Sequence, residues 1–117
     1  MKFRNDLPIY LQLIDEFKDL ILTGEWKVDE KIPSVRELAV TYSVNPNTVQ
    51  RALTELENQG LLRSERTLGR FVQGDVSSLR QIKKDEIIEI SKSYVEKMKL
   101  LGQTKDQTIE SIERVWV

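Results

Sequence analysis

The run SVNPNTVQRALTELENQGLL, Ser43 to Leu62, places a proline near the start of an otherwise helical pattern and a glycine near its close. Asn45 suits a helix N-cap and Pro46 the first helical position, so the proline starts the helix and does not break it. Gly60 suits the stop. At about 100° per residue, Val49, Ala52, Leu53 and Leu56 share one face, and Asn47, Gln50, Arg51, Thr54 and Asn58 share the opposite one. The pattern predicts a helix with an apolar back and a hydrogen-bonding front.

Working outward, KIPSVRELAVTYSV supplies a shorter helix just before it. Ser34 and Glu37 form an S-x-x-E capping box, so this helix begins at about Val35 and is over by Ser43. Two helices joined by so short a turn have the dimensions of a helix-turn-helix. Upstream, DLPIYLQLIDEFKDLILTGEW shows helical spacing at Ile9, Tyr10, Leu13, Ile14, Phe17, Leu20 and Ile21. Downstream, LLRSERTLGRFVQG reads as two short strands around a tip at Arg66-Thr67-Leu68-Gly69, with Gly69 able to take a positive φ. Helix-turn-helix plus hairpin is a winged helix.

QGDVSS then reads as a linker, and Ser78 with Gln81 as a second capping box. A long helix is expected from about Leu79 to Leu101. Ile87, Ile90, Tyr94, Met98 and Leu101 recur at seam spacing, with Ile88 and Val95 as a second stripe. Gly102 stops this helix, and Thr104 with Gln107 caps a last one carrying Ile109, Ile112, Val115 and Trp116. The expected fold class is mainly α with a small β-hairpin. Residues 1–75 form a winged helix-turn-helix and residues 76–117 a two-helix dimerisation tail. The wide apolar face of the tail points to self-association, through Ile87, Ile90, Tyr94, Met98, Leu101, Ile109, Ile112 and Trp116.

Composition narrows the functional classes. The 117 residues contain no cysteine and no histidine, which removes disulfides, thiolate chemistry and the commonest general base and metal ligand. Asp15-Glu16 and Glu55-Glu57 are paired in sequence only, and no catalytic set or cofactor site emerges. The expectation is a protein that is not an enzyme and holds no metal. No apolar run is long enough to span a membrane and the first ten residues carry no signal-type core, so a cytoplasmic setting is expected. Residues 1–75 hold 10 Lys/Arg against 12 Asp/Glu, so any nucleic-acid signal must be local.

Locally it is present. A helix-turn-helix puts its second helix into the DNA major groove, where Asn and Gln can pair with adenine and Arg with guanine. Asn47, Thr48, Gln50, Arg51 and Thr54 offer such groups, and amides left unpaired at the helix start would favour a nearby phosphate. Arg36 lies in the first turn of the preceding helix. Arg63, Arg66 and Arg70 lie on or beside the hairpin, opposed there only by Glu65. A winged helix can also serve as a protein-docking module without reading DNA sequence, which is the alternative reading.

As a set, PIYLQL, LTGEWKVDEKIPSVRELA, NTVQRALTELENQGLL and GRFV resemble the winged-helix domain of GntR-type transcription regulators over about 65 residues. The short tail is similar to the YtrA-type branch. The resemblance implies a homodimeric repressor of its own operon, often one encoding an ABC transporter, bound to a near-palindromic operator. Arg36, Asn47, Thr48, Gln50 and Arg51 fall on family positions implied to meet DNA, and the full set of expected DNA contacts adds Ser34, Asn45 and Thr54 with Arg66, Thr67 and Arg70 of the wing. Pro46 replaces an arginine common just before the polar pair, and Thr67-Leu68 replaces a commonly glycine-rich tip. Both departures imply an operator unlike that of the larger members. Any small-molecule effector is left unidentified.

Overall fold

The computed structural model describes residues 1–117. Its elements run α1 (Ile9–Leu22), α2 (Val35–Tyr42), α3 (Pro46–Asn58), β1 (Leu62–Glu65), β2 (Gly69–Val72), α4 (Val76–Leu100) and α5 (Lys105–Val115). The chain divides into two compact units, residues 1–80 and 81–117. The first is a winged helix-turn-helix; the second holds most of α4 and all of α5.

In the first unit α3 packs against α1, α2 and β1. Val49, Ala52, Leu53 and Leu56 are almost wholly buried, as their shared face requires, together with Leu13, Phe17, Leu61 and Val72. Burying a Val or Leu side chain contributes about 1.5–3 kcal/mol, so this back face outweighs any surface ion pair, worth ~0–1 kcal/mol. Phe17 is the centre of an aromatic cluster. Trp26 stacks on it at 5.3 Å between ring centroids, and Tyr42 meets it edge-on at 5.4 Å. The Tyr42 hydroxyl donates to Glu16 Oε2 at 3.1 Å. Burial, followed by that bond and the charges of Glu16 and Glu25, pushes the Tyr42 pKa up to about 12.

The helix ends follow their capping chemistry. Ser34 Oγ accepts from the Glu37 amide, and Glu37 reaches back to the Ser34 amide. Thr104 and Gln107 repeat the box at α5. The long helix departs from expectation. It begins at Val76, not near Leu79, because the Asp75 carboxylate accepts from the amides of Ser77 and Ser78 and from Ser78 Oγ. An aspartate three residues earlier can satisfy the helix start better than the Ser78 hydroxyl, which it consumes.

The hairpin pairs Leu62 with Val72 and Glu65 with Gly69 in antiparallel register. Its tip holds Thr67 at φ 68° and Gly69 at φ 115°. A segment that sequence pattern did not reveal extends this sheet. Lys31 bridges to Phe71, the Ile32 amide donates to Arg70 O, and the Val72 amide donates to Glu30 O. The wing is therefore pinned on its outer edge as well as through β1.

Gln12 is a buried polar residue inside α1's apolar face. Its Oε1 accepts from the Arg4 amide at 2.7 Å, and its Nε2 donates to Arg4 O and Leu7 O. These bonds tie the first residues down. Replacing Gln12 with Ala leaves three backbone groups without their partner, and the expected loss is about 1–3 kcal/mol. Thermal melts and amide exchange check this: the Arg4 amide should lose its protection first.

Candidate nucleic-acid interface

The start of α3 is organised by Asn45. Its Oδ1 accepts from the Asn47 amide at 2.7 Å, and its backbone oxygen accepts from Thr48 at 3.0 Å. Pro46 has no amide hydrogen to offer. The expectation of unpaired amides for a phosphate at this helix start is therefore corrected: none of the first three is free. Ser34 and Asn45 are caps that place α2 and α3. The side chains of Asn47, Gln50 and Thr54 are exposed along the front of α3, with Thr48 half-buried beside them.

The arginines separate into two groups. Arg36 and Arg66 are exposed and hold no ion pair. Arg63 and Arg70 are engaged, which corrects the expectation that Glu65 alone opposes the hairpin's positive charge. Arg63 pairs with Asp29 at 2.8 Å and Glu65 at 3.0 Å, and donates to Val72 O. Arg70 is largely covered; its Nε pairs with Glu57 of α3, and its Nη1 donates to Gln50 Oε1 at 3.4 Å. Ser64, opposite Arg70 in the hairpin register, also donates to Glu57, at 2.7 Å. Asp29 and Glu57 are far from these arginines in sequence, so no local pattern pointed to them.

Arg51, exposed on α3, has a protein partner as well. Its Cα lies on the outward side of α3, but its guanidinium sits 3.6 Å from the centroid of the Tyr10 ring on α1. In this pose it bridges two helices and does not stand out among Asn47, Gln50 and Thr54. The signal was there in part: Tyr10 belongs to the apolar spacing of α1 yet is only half-buried, so its ring has a face to offer.

Glu57 carries the electrostatics of the wing–helix junction. Burial works against its charge, but hydrogen bonds from Arg70 and Ser64 and the Arg70 charge prevail and hold its carboxyl below the ordinary 4.5. No group of His, Cys, Asp or Glu side chains is arranged to hold a metal ion, and no helix is long and apolar enough to cross a membrane.

An exposed hydrogen-bonding helix front, buried behind and flanked by a hairpin, defines the class of winged helix-turn-helix proteins. Residues 9–72 match the family described as bacterial regulatory proteins, gntR family, and this chain belongs to it. The HTH-type transcriptional repressor YtrA of Bacillus subtilis (strain 168) is 38% identical, over 83% of this chain and 82% of its own length. A GntR family transcriptional regulator from Listeria monocytogenes superimposes with a TM-score of 0.93 at 32% identity, covering 97% of this chain and all of that one. AraR(DBD), in complex with operator ORR3, is 36% identical with a TM-score of 0.55, covering 62% of this chain and 84% of that one. The protein is a GntR-type DNA-binding transcription regulator.

The depressed Glu57 pKa has a definite sign. A carboxylate whose folded pKa is lowered adds stability that is complete above the unfolded value and lost as pH falls through the folded one. The expected Glu57 titration midpoint, followed by carboxyl NMR, therefore lies below 4.5. In Arg70→Met it should rise, since burial then acts with less opposition. A double-mutant cycle of Arg51→Ala and Tyr10→Ala should give a coupling of ~0.5–1 kcal/mol in unfolding free energy. Zero coupling would leave the stack without energetic weight.

Proposed function

We propose that this regulator is a homodimeric repressor of its own operon, reading a near-palindromic operator with two copies of α3. The observation that carries the reading is the exposed polar front of α3, Asn47, Gln50 and Thr54, set between Arg36 and Arg66, two arginines without a protein partner. Asn47, Thr48, Gln50 and Thr54 face base edges, while Ser34 and Asn45 serve by placing the helix starts. Arg36, Arg66 and the exposed Thr67 meet the phosphate backbone. Arg70 acts through its neighbours on α3. Arg51 lies beside Tyr10 and contributes a backbone contact more readily than a base contact. The YtrA-type resemblance makes a transporter operon the first set of genes to examine.

Dimerisation through the tail is supported by what the tail leaves uncovered. Ile90 is 62% exposed, Leu101 61% and Trp116 80%, and Ile87, Tyr94, Ile109 and Ile112 are exposed as well; only Met98 is half-buried. Between α4 and α5 an apolar groove of about 460 Å³ is lined by Tyr94, Val95, Ile109 and Ile112 among others. Contiguous apolar surface of this kind is characteristic of an association face. A second copy of the chain places two recognition helices one DNA turn apart, about 34 Å, or a multiple of it.

The test is fluorescence anisotropy on the DNA upstream of the protein's own gene against a random duplex of equal length, at physiological salt. The expected preference is 10³-fold or more, at the lower edge of the range of ~10³–10⁷ for specific regulators. Arg66→Ala should weaken binding to both duplexes alike and reduce the salt slope by about 1. Light scattering at micromolar concentration should return twice the 13.7 kDa chain mass. A stable monomer would defeat the dimer, and equal binding to both duplexes would defeat the autoregulator.

A further inference from the structure

The second unit carries its charge in two blocks. Asp85, Glu86 and Glu89 give residues 85–90 of α4 a charge of −3. Lys92, Lys97, Lys99 and Lys105, against Glu96, give residues 91–105 a charge of +3. The acidic block also carries exposed apolar side chains, with Ile87 at 52% and Ile88 at 53%. The basic block borders the groove between α4 and α5, which is lined by Tyr94, Val95, Ile109 and Ile112 together with Lys99 and Lys105. One segment is thus apolar with acidic flanks, and one groove is apolar with basic ones.

Spacing limits how two such surfaces can meet. Asp85, Lys92 and Lys99 recur every seven residues, so they follow one edge of α4, and Ile87-Ile88 recur as Tyr94-Val95 on the face beside it. Ser91 lies midway on that face, a small side chain where a crossing helix can come close. Its hydroxyl donates to Ile87 O at 2.8 Å, so it needs no partner across an interface. In a two-fold pair, residue i meets residue j and j meets i. With the helices antiparallel and the axis near Ser91, Asp85 comes opposite the partner's Lys99 and Glu86 opposite the partner's Lys97. The same register sets Ile87 and Ile88 against the partner's Val95 and the partner's Tyr94. Lys92, near the axis, is paired with Glu89 of its own helix at 3.7 Å. Lys83 and Lys84 come to the end of the partner's α4, where the helix dipole is negative. Parallel helices would instead set acidic block beside acidic block and basic beside basic.

We propose that the α4–α5 groove receives the Asp85–Ile90 segment of a second copy of this chain, the two α4 helices running antiparallel about an axis near Ser91. This rests on the reading that the tail dimerises the protein. The apolar side chains supply the affinity, since their burial outweighs exposed ion pairs. The charges select direction and register, as flanking charges do in other helix pairs.

The experiment is cross-linking of full-length single-cysteine variants with a short bismaleimide, which is clean because the chain has no cysteine of its own. Each variant is checked by circular dichroism and used at concentrations where light scattering shows a dimer. Ser91→Cys should link to itself. Asp85→Cys and Lys99→Cys should each fail to link alone, because two copies of either position lie ~20 Å apart along the helices, and should link when mixed. Lys99→Glu should raise the dimer dissociation constant about tenfold, two ion pairs being lost by symmetry, and adding Asp85→Lys to it should restore most of that loss. Self-linking by Asp85→Cys overturns the proposal in favour of parallel helices. A dimer whose mixed variants do not link overturns it too, as does a Lys99→Glu protein that dissociates like wild type. If wild type is a monomer, the dimer reading falls as well, which separates the two failures.

Discussion

Burial of the back of α3 is the constraint on which the rest of the molecule depends. Val49, Ala52, Leu53 and Leu56 leave almost no surface to water, and three elements close over them. A helix held this way cannot rotate without exposing two or three large apolar side chains, at about 1.5–3 kcal/mol each. Domain stabilities are typically only ~5–15 kcal/mol, so a rotation of that kind is excluded in the folded state. The outward row of Asn47, Gln50 and Thr54 is thus aimed by apolar packing, although none of those residues is itself buried. The proposed recognition of DNA by this row would depend on a rigid support supplied from behind.

Polar contacts refine what apolar packing aims. The Glu57 carboxylate collects Arg70 and Ser64 from the two strands and so connects the wing to the helix it flanks. Arg63 does the same for the loop before α2 by pairing with Asp29. Both pairs draw positive charge inward and leave Arg36 and Arg66 exposed without an ion pair. An almost neutral chain can therefore present a locally basic surface, because pairing partitions its arginines into structural and available ones. Net charge −1 carries no information about that partition.

The second unit follows another rule. Its helices are capped as well as those of the first, with a reciprocal box at α5 and lysines in the last turn of α4 that complement the helix dipole. Yet no residue beyond Leu79 is buried. Local helix signals and a buried core are separate requirements, and this segment meets only the first by itself. That imbalance is what the proposed association with a second copy would relieve.

Much of the first unit was legible because its signals are local. Caps at Ser34 and Asn45, the stop at Gly60 and the shared face of Val49 and Leu56 lie within a few residues of what they determine. The hairpin was legible from a turn between two short runs. The start of α4 was misplaced because Asp75 and Ser78 are both good caps, and only the folded backbone shows that the aspartate takes the amides and the serine hydroxyl together. Sequence pattern presents Arg51 and Arg70 as outward groups because their partners, Tyr10 and Glu57, are 41 and 13 residues away. The chain by itself determined the order of elements, the capping of α2, α3 and α5 and the face that α3 buries, since helix periodicity and capping act over one or two turns. The tertiary structure decided which arginines remain free and what holds the wing in place. Those outcomes need side chains from distant segments to meet in space, and no spacing along the chain encodes such a meeting.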